Sequence, residues 1–193
     1  MIISIFLAVA VIIAIVLTVV AMRPDDFRIA RSISIAAPTP ASFEQVNDLH
    51  RWQEMSPYAK LDPTANYTFA GPPAGTGASL AWSGTSKVGE GRMTITESRP
   101  HELVRMELEF LKPFRATNTV EFTFEEEGDQ TKATWSMFGQ NKFMCKAMGV
   151  FMNMDKMCGS QFEEGLANMK AIAEVQARNQ EPVPLAVASA SGR

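Results

Sequence analysis

Five methionines and two cysteines fall between Phe143 and Gly159, in the stretch FMCKAMGVFMNMDKMCG. Cu(I) prefers thioethers and thiolates, so sulfur at this density invites a soft-metal reading. Helical geometry argues against it. At about 100° per residue, Met152 and Met154 diverge by about 200° and Met154 and Met157 by about 60°, so these side chains and Met148 do not converge on one point. No histidine stands beside them. Cys145 and Cys158 would sit roughly 20 Å apart on a straight helix, too far for a disulfide. Both read as buried thiols, and no metal or cofactor is expected. The methionines read instead as one wall of an apolar interior, because an unbranched, polarisable side chain adapts to ligands of varied shape.

The remaining chemistry-bearing residues do not assemble into a catalytic motif. His50 lies beside Arg51, and His101 follows Pro100 in a turn; neither has a partner at motif spacing. The glycine pairs GTG (75–77) and GEG (89–91) lack the third glycine and the strand-to-helix context of a dinucleotide loop, so they read as turns. Asp25–Asp26, Glu125–Glu127 and Glu163–Glu164 are contiguous carboxylates. Neighbours on a strand point to opposite faces, which does not make an acid–base couple. No catalytic residue is assigned.

The chain has 193 residues and a formal net charge of −3. Its charges form no basic stripe, which excludes the usual footprint of a nucleic-acid binder. Residues 2–22, IISIFLAVAVIIAIVLTVVAM, carry no charge. As a helix they would span about 31 Å, the thickness of a bilayer's hydrocarbon core. The stretch is longer than a signal-peptide core and no Lys or Arg precedes it, so it reads as an uncleaved single-pass membrane anchor. Arg23, Arg28 and Arg31 follow it, and the positive-inside rule then places the rest on the cytoplasmic side. The expected division is an anchor at 1–23, a domain at 24–178 and a disordered, Pro/Ala/Ser-rich tail at 179–193.

Within the domain, residues 28–37 alternate as a strand. A helix follows, with Thr39 as N-cap and Pro40 at its first position. A second short helix is capped by Asp48 and stopped by Pro57. Six further strands are expected at 66–71, 78–85, 91–99, 102–110, 116–127 and 131–139. Their apolar positions fall on one parity, including Trp82, Met93, Met106, Phe110, Phe122, Trp135 and Met137, and the polar ones on the other. Arg92 and Arg105 belong to the polar parity. A sheet with one apolar face must be covered. The long C-terminal helical segment can cover it: Met144, Met148, Phe151, Cys158, Phe162, Leu166, Met169 and Ala173 share a face. Gly149 and Gly159 weaken that helix. A break near Asn153 would keep Asp155 from pointing inward.

Several strings together resemble a known family. They are NDLHRWQEMSPYAKLDP (47–63), with Asn47, Asp48, Trp52, Ser56, Pro57 and Asp62 in the family's spacing; GTGASLAWSG leading to GEGRMTITES; LKPFRATNTVEFTF; and GLANMK. Over residues 27–175 the chain resembles the START-like helix-grip superfamily, specifically the polyketide cyclase/dehydrase and lipid-transport (SRPBCC) group, in a membrane-anchored bacterial branch. The resemblance implies an α+β fold in which a seven-stranded antiparallel sheet wraps a long C-terminal helix around an apolar cavity. It also implies binding of an apolar small molecule, without assigning an activity.

The resulting expectation is a membrane-tethered carrier domain for a lipid or polyketide-like molecule. Its cavity would be lined by Trp82, Met93, Met106, Phe110, Phe122, Trp135, Met137, Met148, Phe151 and Phe162, with Tyr58 and Lys60 at the entrance. Two alternatives remain at the sequence level. One is a cyclase or hydrolase using the same cavity, which would need an Arg or Glu pointing inward. The other is a ligand-free module that docks a protein partner at the membrane.

Overall fold

The computed structural model describes residues 2–22, 24–140 and 154–180. Helix α1 runs Ile2–Ala21, and its window Ser4–Ala21 has a mean hydropathy of 3.1, long and apolar enough to cross a membrane. Then come β1 (Asp26–Ile35) and three short helices, α2 (Thr39–Asn47), α3 (Leu49–Met55) and α4 (Pro57–Leu61). Six strands follow: β2 (Asn66–Ala70), β3 (Ser79–Ser83), β4 (Glu90–Arg99), β5 (Leu103–Lys112), β6 (Ala116–Glu127) and β7 (Gln130–Gln140). The last described element is α5 (Met154–Gln180).

The strands form one antiparallel seven-stranded sheet in the order β1-β7-β6-β5-β4-β3-β2. Hairpins join β2 through β7 in sequence, and β7 returns to pair with β1. The register places the strand ends in two rows. Asp26, Gln140, Ala116, Lys112, Glu90, Ser83 and Asn66 lie along one margin of the sheet, here the near margin. Ile35, Gln130, Glu127, Leu103, Arg99, Ser79 and Ala70 lie along the other, far margin. The chain enters the sheet from α1 at the near margin, after only residues 22–25.

Period-two alternation sorts the faces as a half-buried sheet requires. Ile95, Val104, Met106, Val120, Phe122, Ala133 and Trp135 are buried on the inner face. On the outer face Arg105 lies between Glu97 and Glu121 and pairs with both. Helix α5 covers the inner face by way of β1 and β7, and α2 lies over β5, β6 and β7. Phe162, Leu166, Met169 and Ala173 of α5 are buried and Cys158 is partly so, on the face expected for them. Met144, Met148, Phe151 and Asn153 lie outside the described residues, as does the expected tail from 181 onward.

Three local expectations need correction. Pro38, not Thr39, occupies the N-cap of α2, and Pro40 sits one position deeper; no side chain caps this helix. The Thr39 hydroxyl is buried against Thr131 Oγ1 at 3.3 Å instead. Pro57 ends one helix and also opens the next, because a first-turn proline loses no hydrogen bond there. Asp48 does cap α3, accepting from the His50 amide at 2.8 Å.

Candidate functional site

The inner face divides into two aromatic groups. The first is closed. Trp135 of β7 stacks on Phe162 of α5, with centroids 4.4 Å apart and planes 10° from parallel. Phe122 lies 4.8 Å from Trp135, and Trp52 of α3 meets both Phe122 and Trp135 edge-on, at 5.5 and 5.3 Å. Gly165 makes the stack reachable. A Cβ there would come within 2.5 Å of the Trp135 ring and 3.2 Å of Pro57. Met106 and Met93 are buried beside this group on the sheet, with Met137 at its margin. Trp135 exposes only 2% of its surface, yet its indole Nε1 finds no hydrogen-bond partner among the described residues. A buried donor left this way costs free energy, so it marks where an acceptor would be welcome.

The second group lies toward the near margin and is less covered by the described residues. The Trp82 ring sits over Gly91, where a Cβ would strike it, and its Nε1 donates to Val88 O at 3.1 Å. Phe110 meets Trp82 edge-on at 6.1 Å. Both rings are half-buried. The loops around them are tied together by Asp62. Its carboxylate accepts from the Thr85 amide at 2.6 Å, the Thr64 hydroxyl at 2.6 Å and the Thr64 amide at 3.1 Å. These bonds, those from Thr64 and Thr85 above all, hold the Asp62 carboxyl far below the usual carboxylate range.

Seven of the expected lining residues share the inner face of the sheet and Phe162 packs onto it from α5, while Met148 and Phe151 lie outside the described residues. Tyr58 and Lys60 stand on α4 at the near margin and are exposed. Enough of the Tyr58 ring is covered that burial, with Cys158 close behind it, pushes its hydroxyl well above the ordinary tyrosine range. Burial likewise raises the Cys158 thiol, and Asp155 adds to the effect. Cys158 is a free thiol.

Arg31 was not singled out for the site from the sequence, yet it points toward α5. It shares the parity of Ile29, Ile33 and Ile35, which was the available signal. Its guanidinium contacts Asp155 at 2.9 Å and Glu163 at 2.8 Å and lies against Gly159, where any Cβ would collide with it. Its donors are committed to clamping the first turns of α5 to β1. Asp155 accordingly points to Arg31. Gly159 is there for close approach, whatever it costs in helix propensity.

The two histidines are surface groups in a structural setting. His50 stacks on Phe69 with centroids 3.9 Å apart, and His101 meets Phe43 edge-on at 5.5 Å. No group of three or more His, Cys, Asp or Glu among the described residues could hold a metal ion. Open depressions indent the surface at both margins. One, of about 90 Å³, lies between His50, Phe69 and Pro72 at the far margin. The other, of about 290 Å³, lies where β6 begins and β7 ends, along Ala116, Asn118 and Gly139 at the near margin. It approaches the lower end of the size range of small-molecule sites.

No curated protein matches the chain by sequence. Among solved structures it is similar in fold to protein CV1439 from Chromobacterium violaceum, at 13% identity and a TM-score of 0.55, covering 79% of this chain and 99% of that one. It is also similar to the Aha1 dimer from Colwellia psychrerythraea, at 13% identity and a TM-score of 0.55, covering 77% and 97%. A third is StfQ, a di-domain ARO/CYC of the steffimycin biosynthetic pathway, at 12% identity and a TM-score of 0.59, covering 80% of this chain and 52% of that one. The helix-grip sheet, its covering helix and the strings read from the sequence meet in one family model, polyketide cyclase / dehydrase and lipid transport, which matches residues 26–174, and the chain belongs to that family.

Proposed function

We propose that the chain is a membrane-tethered binding domain for an apolar small molecule, a lipid or a polyketide-like compound. The observation that carries this reading is the unequal cover of the inner face. Helices α5 and α2 cover it over β1, β5, β6 and β7, whereas the rings of Trp82 and Phe110, toward the near margin, stay half-exposed on an otherwise apolar wall. A ligand entering there would reach Met93, Met106 and Met137 by parting the closed packing of Phe122, Trp135 and Phe162. Met148 and Phe151, from the sulfur-rich stretch, would complete the wall, with Tyr58 and Lys60 at the entrance. Trp135 Nε1, which has no partner among the described residues, favours a ligand with one acceptor, a carbonyl or hydroxyl, in a mainly apolar body. In this reading α1 is the anchor and Arg23, Arg28 and Arg31 keep the domain on the cytoplasmic side.

Native mass spectrometry of residues 24–180, purified without detergent, tests the binding function. A co-purifying apolar mass, lost in a Trp135→Asp or Phe122→Asp variant that keeps its circular dichroism, is the expected result. A ligand-free mass that does not change on challenge with total membrane lipid extract would end the carrier reading and favour a protein-docking role.

A further inference from the structure

The near margin differs from the far margin in both polarity and charge. Its β5–β6 turn is exposed from Leu111 through Arg115, and Leu111 and Phe114 leave 46% and 53% of their surfaces in water. Leu61 on α4 is exposed by 42%. No charged residue holds Lys60, Lys87 or Arg115 in an ion pair among the described residues, and all three are exposed on this side. Lys112 pairs with Glu90 at 2.8 Å. Other acidic groups on this side are Glu109 toward the end of β5, Asp155, held by Arg31, Asp62, buried under its loops, and Asp25 and Asp26 beside α1. The far margin carries Glu102, Glu126, Glu127 and Asp129 on its turns, and its cation Arg99 is paired with Glu97 and Glu102. Exposed apolar side chains interleaved with free cations suit a lipid surface with anionic headgroups.

The chain itself supplies such a surface. Helix α1 joins β1 at the near margin, and residues 22–25 reach no more than about 14 Å. With α1 in a bilayer, this margin is the part of the domain that lies next to it.

We infer that the β5–β6 turn rests in the interface of the bilayer crossed by α1, with Leu111 and Phe114 at the acyl boundary and Arg115, Lys87 and Lys60 on anionic headgroups. This rests on the proposed anchoring by α1. The half-exposed rings of Trp82 and Phe110 lie just behind this turn, so an apolar molecule passes between membrane and domain without entering bulk water.

Tryptophan quenching by brominated lipid tests the inference on the full chain. Phe114→Trp and Leu111→Trp each place a reporter on the turn, and Asp129→Trp places one on the far margin. The signal of Trp52, Trp82 and Trp135 is subtracted using the parent chain. Each variant is reconstituted in phosphatidylcholine vesicles with and without phosphatidylglycerol, and alkaline extraction is run on the same vesicles.

The expected result is quenching several-fold stronger at 114 and 111 than at 129, enhanced by phosphatidylglycerol and weakened in Lys87→Glu/Arg115→Glu. Equal, weak quenching at all three positions in vesicles that resist extraction would overturn the inference while leaving the anchor intact. That outcome is expected if the turn instead meets a protein. Removal of the chain by alkali would overturn both.

Discussion

The indole of Trp135, on β7, lies flat against the ring of Phe162, on α5, 4.4 Å away and within 10° of parallel. It is a direct aromatic link between the sheet and the long helix, and both rings are almost wholly withdrawn from water. Phe162→Ala removes one ring and leaves a cavity against Trp135 and Phe122. The expected cost is about 3–5 kcal/mol. Thermal or urea unfolding of the variant measures it, and a loss below about 1 kcal/mol would mean the stack is not structural.

Gly165→Ala sets two effects against each other. Alanine gains up to about 1 kcal/mol of helix propensity, but its methyl meets the Trp135 ring at 2.5 Å and Pro57 at 3.2 Å. Overpacking costs about 1–3 kcal/mol, so net destabilisation is expected. An unchanged or higher midpoint in urea would show that the ring yields freely.

Arg31→Lys keeps the charge and loses the planar fork that reaches Asp155 and Glu163 together. The first turns of α5 should then exchange their amide hydrogens faster, several-fold over residues 155–163, with α5 beyond Leu166 unchanged. Uniform exchange along α5 in both proteins would remove Arg31 from the role of clamp.

Asp62 makes stability depend on acid. Its folded-state pKa is lowered by the Thr64 and Thr85 hydrogen bonds. The stability it contributes is therefore complete above the unfolded value, about 3.9, and is lost as pH falls toward the lower folded value. Asp62→Asn should unfold at lower temperature at pH 7. It should also lose less on acidification, so the two midpoints converge below about pH 4. Parallel curves across that range would refute the assignment.

Cys158 should be a slow nucleophile. Burial raises its pKa, and the nearby Asp155 charge disfavours the thiolate further. In a Cys145→Ser background, alkylation by iodoacetamide near neutral pH should run several-fold slower than for free cysteine, and Asp155→Asn should recover part of the rate. Reaction at the free-cysteine rate would show that the thiol is open to solvent.

Much of this was legible because two periodicities carry it. The alternation of Val120, Phe122 and Phe124 and of Ala133, Trp135 and Met137 marks the inner face, and the spacing of Phe162, Leu166, Met169 and Ala173 marks the helix that covers it. Features set by three-dimensional proximity were harder to read. Arg31 looks in sequence like one of three cations flanking an anchor, and only its strand parity hints that it turns toward α5. Gly159 looks like a weak point in a helix until the guanidinium lying on it is seen. Helix α4 is hard to read in the sequence because Pro57 signals a stop as strongly as a start. The division of the inner face into a closed and an open half depends on where α5 crosses the sheet, which no local pattern encodes.

The four residues between α1 and β1 also limit what the domain can do with a cargo. A carrier on a long flexible leash can ferry molecules across an aqueous gap to a second membrane. With α1 fixed in a bilayer, a reach of about 14 Å rules out such a journey. On the proposed anchoring the domain would be a fixed berth, and whatever it held would be handed to a protein that comes to the same membrane surface or returned to the leaflet beneath it.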